Sequence, residues 1–294
     1  MRSNRQCPCT TVRSMQGLPL TTDLANGHRE GNGGTDPDAM AGQVPAMLLA
    51  AGRGERMRPL SDTIPKPLLQ VQGLPLLHWQ LQALHAAGVG RVVINTAWLG
   101  AQISAHFSNS FGLQCPDGER RPLSIAYSDE AADFGRALET AGGIARALPQ
   151  LGPLFWLAAG DVFAPDFGFH SAAVQAFAAS EHLAHLWLVP NPANKPRGDF
   201  GLSVDGLALN LPADDPAPRY TYSTFALLRA QLFAPPWCDI PAGNPGGVRT
   251  PLLQLLQRAM DNRRVSAQLY GGHWADVGTP ARLAELNALS PALP

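Results

Sequence analysis

The sequence predicts an α/β fold, a Rossmann-like mixed and mostly parallel sheet with helices on both faces, and three observations carry that expectation. The run Ala46-Met47-Leu48-Leu49-Ala50-Ala51 is apolar without alternation, the pattern of a central parallel strand covered on both sides. From Val44 onward, strand-like runs alternate with stretches at helical spacing, the order that builds a parallel sheet. A second buried run, Pro153 to Ala159, stops at Gly160-Asp161, and ligands of open α/β sheets bind outside the carboxyl ends of such strands.

The elements follow in order. Leu77, Leu81, Leu84 and Ala87 recur near the helical period, so 76–87 reads as a helix with Gly88 as its cap. Val92, Val93 and Ile94 mark a second strand over 91–96, followed by Trp98-Leu99-Gly100 and a helix through Phe107. Leu123 to Tyr127 is a third strand. Glu139-Thr140-Ala141-Gly142-Gly143 reads as a glycine-rich turn running into a helix that ends near Leu148. The stretches 211–218 and 235–249 read as surface excursions. Pro251 to Met260 is a helix with Leu252, Leu255 and Leu256 toward the sheet. Thr279 and Pro280 suit the N-cap and first position of a final helix over 281–289.

At 294 residues the chain can bury a substantial core as a single domain over 44–294. Residues 1–43 are rich in Gly, Thr, Asn, Arg and Pro without an apolar period, which predicts a disordered extension and makes Met40 a candidate start. A formal net charge of -1 offers no bulk attraction to nucleic acid or an anionic membrane, so any anion site is local. Cys7, Cys9, Cys115 and Cys238 suit neither a disulfide framework nor a closed zinc site. No stretch approaches the roughly 18 apolar residues of a membrane span, and charged residues interrupt any secretory signal, which together predict a cytoplasmic enzyme.

The chemistry concentrates after the first strand. Gly52 and Gly54 let the backbone turn tightly and aim N–H groups at an anion. Arg53, Arg56, Arg58 and Lys66 surround that loop with permanent charge, and Pro65 and Pro67 stiffen the chain on both sides of the lysine. The third glycine of a dinucleotide fingerprint is replaced by Met57, and the Gly-Lys-Ser/Thr of a P-loop is absent. Asp161, at a strand end, and Asp276, in Gly272-His273-Trp274-Ala275-Asp276-Val277-Gly278-Thr279-Pro280, are hard oxygen donors of the kind magnesium prefers.

The string Leu-Ala-Ala-Gly-x-Gly-x-Arg-Met-x-Pro-Leu, followed by Pro-Lys-Pro-Leu, resembles the signature of the sugar-1-phosphate nucleotidylyltransferases. The Gly160-Asp161 and Trp274-x-Asp276-x-Gly278-Thr279 motifs follow in the expected order, so the resemblance covers roughly 44–289. It implies a fold of the nucleotide-diphospho-sugar transferase type and attack of a sugar-1-phosphate oxygen on the α-phosphorus of a nucleoside triphosphate. By the same resemblance Arg58 and Lys66 are catalytic, and Asp161 and Asp276 hold Mg2+. Ala50, Ala51, Gly52, Arg53, Gly54, Thr140, Gly142 and Gly143 face the nucleotide. Asn95, Trp98, Arg197 and Asp199 face the sugar, with Lys195 beside them.

Within the superfamily, Asn95-Thr96-Ala97-Trp98-Leu99-Gly100, Leu138 to Ile144, Asn191-Pro192, Arg197 to Phe200 and Gly272-His273-Trp274 resemble the N-acetylmuramate-1-phosphate uridylyltransferases of cell-wall recycling. The partners implied are UTP and that sugar phosphate. Two departures stand out: Ala141-Gly142-Gly143 replaces a triple glycine, and Ser223-Thr224-Phe225 replaces a Ser-Gly-Ile-like strand start. The alternatives are mannose-1-phosphate guanylyl transfer, glucose-1-phosphate thymidylyl transfer, or a non-catalytic regulator that binds nucleotide sugars.

Overall fold

The computed structural model describes residues 44–112 and 122–289. The expectations for the 1–43 extension, Met40, Cys7, Cys9 and Cys115 lie outside the described residues. In chain order the elements are β1 (Ala46–Ala50), β2 (Gln70–Val71), β3 (Leu74–Pro75), α1 (Leu76–Ala86), β4 (Arg91–Thr96), α2 (Gly100–Phe107), β5 (Ser110–Phe111) and β6 (Leu123–Asp129). Then follow α3 (Glu130–Phe134), α4 (Glu139–Leu151), β7 (Leu154–Ala159), β8 (Val162–Phe163), α5 (Ser171–Ala179), β9 (Ala184–Val189), β10 (Phe200–Leu202) and β11 (Ala208–Leu209). The last are β12 (Arg219–Arg229), α6 (Leu252–Asp261), β13 (Val265–Leu269), β14 (Ala275–Asp276) and α7 (Pro280–Ala288).

The centre of the main sheet is parallel: β7, β1, β4 and β6 lie side by side, with Met47 between Leu157 and Val93. β12 runs antiparallel to β7 and to β9, and β13 joins β9 in parallel. This is the mixed, mostly parallel sheet the sequence predicts. Its non-alternating strands follow from burial on both faces. Met47, Val93 and Leu157 pack toward Ile144 of α4 and Leu256 of α6. Leu48, Ile94, Trp156 and Ala158 pack toward Leu77 and Leu81 of α1 and Val174 of α5. Each such side chain contributes about 1.5–3 kcal/mol by leaving water. A third cluster, with Met57, Leu76, Phe163, Val277 and Leu286, anchors the segment after β1 against α7. Among the described residues, no helix is long and apolar enough to cross a membrane.

Two predicted caps are present. Gly88, at φ +76, ends α1, and the Thr279 hydroxyl accepts from Arg282 N–H at the start of α7, where Pro280 takes the first position. Two expectations are corrected. The glycine-rich turn is instead helix: α4 begins at Glu139, so Gly142 and Gly143 lie inside it. Glycine disfavours a helix interior by roughly 1 kcal/mol, but here crowding demands it. A Cβ on Gly142 would strike the Val248 carbonyl, and one on Gly143 the Glu130 carboxylate. Nor is 235–249 a mere surface excursion. Asn244 is fully buried; its amide donates to the carbonyls of Gly142 and Val248 and accepts from Val248 N–H.

Candidate active site

A cleft of about 620 Å³ opens at the carboxyl ends of the parallel strands. One edge is the loop after β1, with Ala50, Ala51, Gly52 and Gly54 on its surface. Gly54 takes φ +64, and a Cβ there would press on Lys66 at 3.1 Å. At Gly52 no protein atom lies within 4 Å of such a Cβ, so the space above it belongs to the cleft. The opposite edge is the entry to α4, where Glu139 and Thr140 line the cleft and Glu139 pairs with Arg249 at 2.8 Å.

A buried polar chain joins the two edges. Asn95, at the end of β4, accepts from Ala50 N–H at 2.9 Å and donates to Glu130 Oε1 at 2.7 Å. The other Glu130 oxygen accepts from Leu138 N–H at 2.7 Å. Burial raises the Glu130 carboxyl above the usual range; the Leu138 and Asn95 hydrogen bonds and the nearby Arg146 charge oppose that rise. Because one of its own donors and one acceptor are spent on neighbours, Asn95 fixes the spacing between the end of β1 and Glu130 as well as facing the cleft.

At the floor, Lys66 is 6% exposed and its ammonium lies 2.6 Å from Asp161 Oδ2 and 3.7 Å from Asp276 Oδ1. The chain delivers these groups from three places. Gly160 has no room for a Cβ, which would meet Leu77 at 2.8 Å and the Leu49 carbonyl at 3.0 Å, so it brings β7 close to β1 just before Asp161. The short β8–β14 ladder pairs Val162 with Asp276, and Val277 N–H donates to the Asp161 carbonyl, setting the two carboxylates side by side. Both reach one ammonium, so they converge on a point. Two hard carboxylate oxygens that converge beside the loop of Gly52 and Gly54 fit the oxygen preference of a magnesium ion, whose other positions phosphate and water would fill.

The structure sets the two arginines apart. Arg56 lines the cleft and reaches Asp276 at 3.9 Å, whereas Arg58 pairs with Asp62 at 3.2 Å and is not part of the lining. A 3-10 turn over Glu55–Met57 produces this, burying Met57 and sending its neighbours to different sides. Neither Gly142 nor Gly143 is part of the lining: Gly142 N–H donates to the Thr250 carbonyl, and Gly143 is packed on Glu130.

On the sugar side, the Trp98 indole donates to the Ser61 carbonyl, and the Arg53 guanidinium lies 4.2 Å over its ring. The pair braces the loop after β1 rather than lining the cleft. Asp199 accepts from Lys195 and from Tyr222 N–H, and Arg197 is exposed; neither Arg197 nor Asp199 lines the cleft. Their segment borders a second cleft of about 610 Å³ through Pro190, Pro192, Ala193 and Asn194. That cleft adjoins the first, sharing Arg56 and Gly278, with Asp276 in its wall.

Glu130, Glu139, Thr224 and Arg249 also line the first cleft. The signal for Glu130 and Arg249 is tertiary, whereas Glu139 lies in the Leu138 to Ile144 stretch and Thr224 in the Ser223-Thr224-Phe225 departure, both visible in the sequence.

Comparison with known proteins shows the family. The family model of the MobA-like NTP transferase domain matches residues 46–269. An N-acetylmuramate alpha-1-phosphate uridylyltransferase of Neisseria meningitidis is 45% identical over 84% of this chain and 98% of its own length. One from Caulobacter vibrioides is 33% identical over 82% and 97%. A solved putative glucose-1-phosphate thymidylyltransferase from Bacillus anthracis superposes with a TM-score of 0.66 at 17% identity, covering 85% of this chain and 96% of its own. An inositol-1-phosphate CTP transferase from T. maritima superposes with a TM-score of 0.59 at 17% identity, covering 84% and 97%. At those identities the two structures speak for the fold.

Proposed function

The chain belongs to the sugar-1-phosphate nucleotidyltransferases with a MobA-like NTP transferase domain, and from that premise we propose that it transfers the uridylyl group of UTP to N-acetylmuramate-1-phosphate. A phosphate oxygen of the sugar bonds to the α-phosphorus, the bond from that phosphorus to the bridging oxygen breaks, and pyrophosphate leaves. The products are UDP-N-acetylmuramate and pyrophosphate, a reaction suited to cell-wall recycling. The observation that carries this reading is Lys66, held at the cleft floor between Asp161 and Asp276.

The nucleophile is a phosphate oxygen, already ionised near neutral pH because the second phosphate pKa is about 6. No protein base is required, and the work is alignment and charge neutralisation. Ala50, Ala51, Gly52 and Gly54 cradle the nucleotide, with Thr140 on the facing edge. Lys66 bridges the two reacting phosphates, and Arg56 takes the charge growing on pyrophosphate. Asp161 and Asp276 would hold a magnesium ion, which when bound polarises the α-phosphoryl oxygens.

The test is transfer of label. With UTP labelled at the α-phosphate, N-acetylmuramate-1-phosphate and magnesium, the label should move into a nucleotide sugar. Label remaining in UTP or appearing in free UMP would contradict the proposal.

A further inference from the structure

Thr224 stands in the cleft wall with φ +71, a left-handed conformation that β-branched residues adopt only under strain. Its hydroxyl is buried and has no hydrogen-bond partner among the described residues, against the general rule for buried polar groups. Glycine at this position would carry neither penalty.

The surrounding bulge in β12 is held from several sides. The Ser223 hydroxyl donates to the Trp187 carbonyl at 2.6 Å and accepts from Phe225 N–H at 3.2 Å. The Trp274 indole donates to the Ser223 carbonyl at 3.0 Å, tying the bulge to the segment that leads into Asp276. The antiparallel register pairs Ala226, just after the bulge, with Leu157, four residues before Asp161. Ala159, Asp161 and Thr224 all line the cleft.

We infer that Thr224 is a specificity-determining residue, whose side chain meets the sugar-1-phosphate bound beside Asp161 and whose hydroxyl takes from that ligand the partner it lacks in the protein. The side chain forms part of the cleft wall, and contact with the ligand requires a rotation about χ1 that brings the hydroxyl out of its buried position. The inference rests on the reading of this cleft as a sugar-1-phosphate nucleotidyltransferase site.

The experiment measures KM for each substrate, and the ratio of kcat/KM between two sugar-1-phosphates, for the wild type, T224V, T224S and T224G. The sugar phosphate that the wild type turns over fastest is used, with thermal unfolding to confirm that each variant folds. T224V, which keeps the shape and loses the hydroxyl, should raise the sugar phosphate KM about tenfold and leave the nucleotide KM within about twofold. T224S keeps the oxygen and should recover most of that loss. T224G should unfold at a higher temperature and lose about tenfold of the discrimination between sugars. Unchanged sugar KM and discrimination in T224V and T224G would overturn the inference, as would a loss shared equally by the nucleotide. A wild-type preference for another sugar phosphate would overturn the substrate proposed above and not Thr224, whose variants are then compared on that sugar.

Discussion

The Lys66 ammonium lies 2.6 Å from Asp161 Oδ2, with the lysine almost fully buried and the aspartate side chain 38% exposed. That asymmetry separates catalysis from folding. Removing the ammonium leaves a carboxylate that water can still solvate, so the penalty of an unpaired buried charge is largely avoided. K66A and D161N should each lower kcat by about a thousandfold or more, the scale of a lost electrostatic contribution to the transition state. Circular dichroism should stay close to wild type in both; thermal unfolding should stay close to wild type in K66A and fall in D161N, whose buried ammonium keeps only Asp276 at 3.7 Å. A folded variant with near-normal turnover would contradict the assignment.

The two arginines on the loop after β1 should behave differently. Arg56 lines the cleft and reaches Asp276, while Arg58 is paired with Asp62. R56A should cost about a hundredfold in kcat/KM, whereas R58A, losing an exposed ion pair worth about 0–1 kcal/mol, should cost less than about threefold. The reverse order would restore Arg58 as the cation that meets pyrophosphate.

Glu130 links Asn95 to Leu138, and through them the two edges of the cleft. Both carboxylate oxygens accept from N–H donors, so the amide of E130Q must face one of them donor to donor. The expected cost is about 1–3 kcal/mol in urea unfolding, with a raised KM for the nucleotide. G143A, whose added methyl would collide with the same carboxylate, should show the same two effects. Stability loss in E130Q without a change in nucleotide KM would reduce Glu130 to a packing residue.

His185, on β9, has a pKa lowered from 6.5 to about 4 by burial, an effect that its hydrogen bonding partly opposes. Between those values the unfolded chain binds the proton and the folded chain does not, so stability falls as pH drops from 6.5 toward 4. The full effect is about 3 kcal/mol at most. Unfolding free energies across that range should show a smaller slope for H185Q. Equal slopes would rule His185 out as the source.

Much of the fold was legible because local chemistry and burial agree. A parallel strand buried on both faces must be apolar throughout, as at Ala46–Ala50, and Gly88 and Thr279 act as caps through interactions within a turn of their own helices. The turn after β1 was legible for the same reason, with Gly54 at φ +64 after the strand ends. What was hidden depends on partners far along the chain. Gly142 is glycine because Val248 approaches it, Asn244 is buried because it clamps α4, and Glu130 meets Asn95 across 35 positions. Arg56 was legible too, as the arginine of Gly-x-Gly-x-Arg-Met-x-Pro-Leu, whereas the 3-10 turn that parts it from Arg58 was not.

The most direct test of the account is pyrophosphate release by the purified chain with magnesium. Four nucleoside triphosphates would be crossed with the 1-phosphates of N-acetylmuramate, N-acetylglucosamine, glucose and mannose. The account predicts one dominant signal, for UTP with N-acetylmuramate-1-phosphate, abolished in K66A. Stronger release with another pair, or none with any, would contradict it.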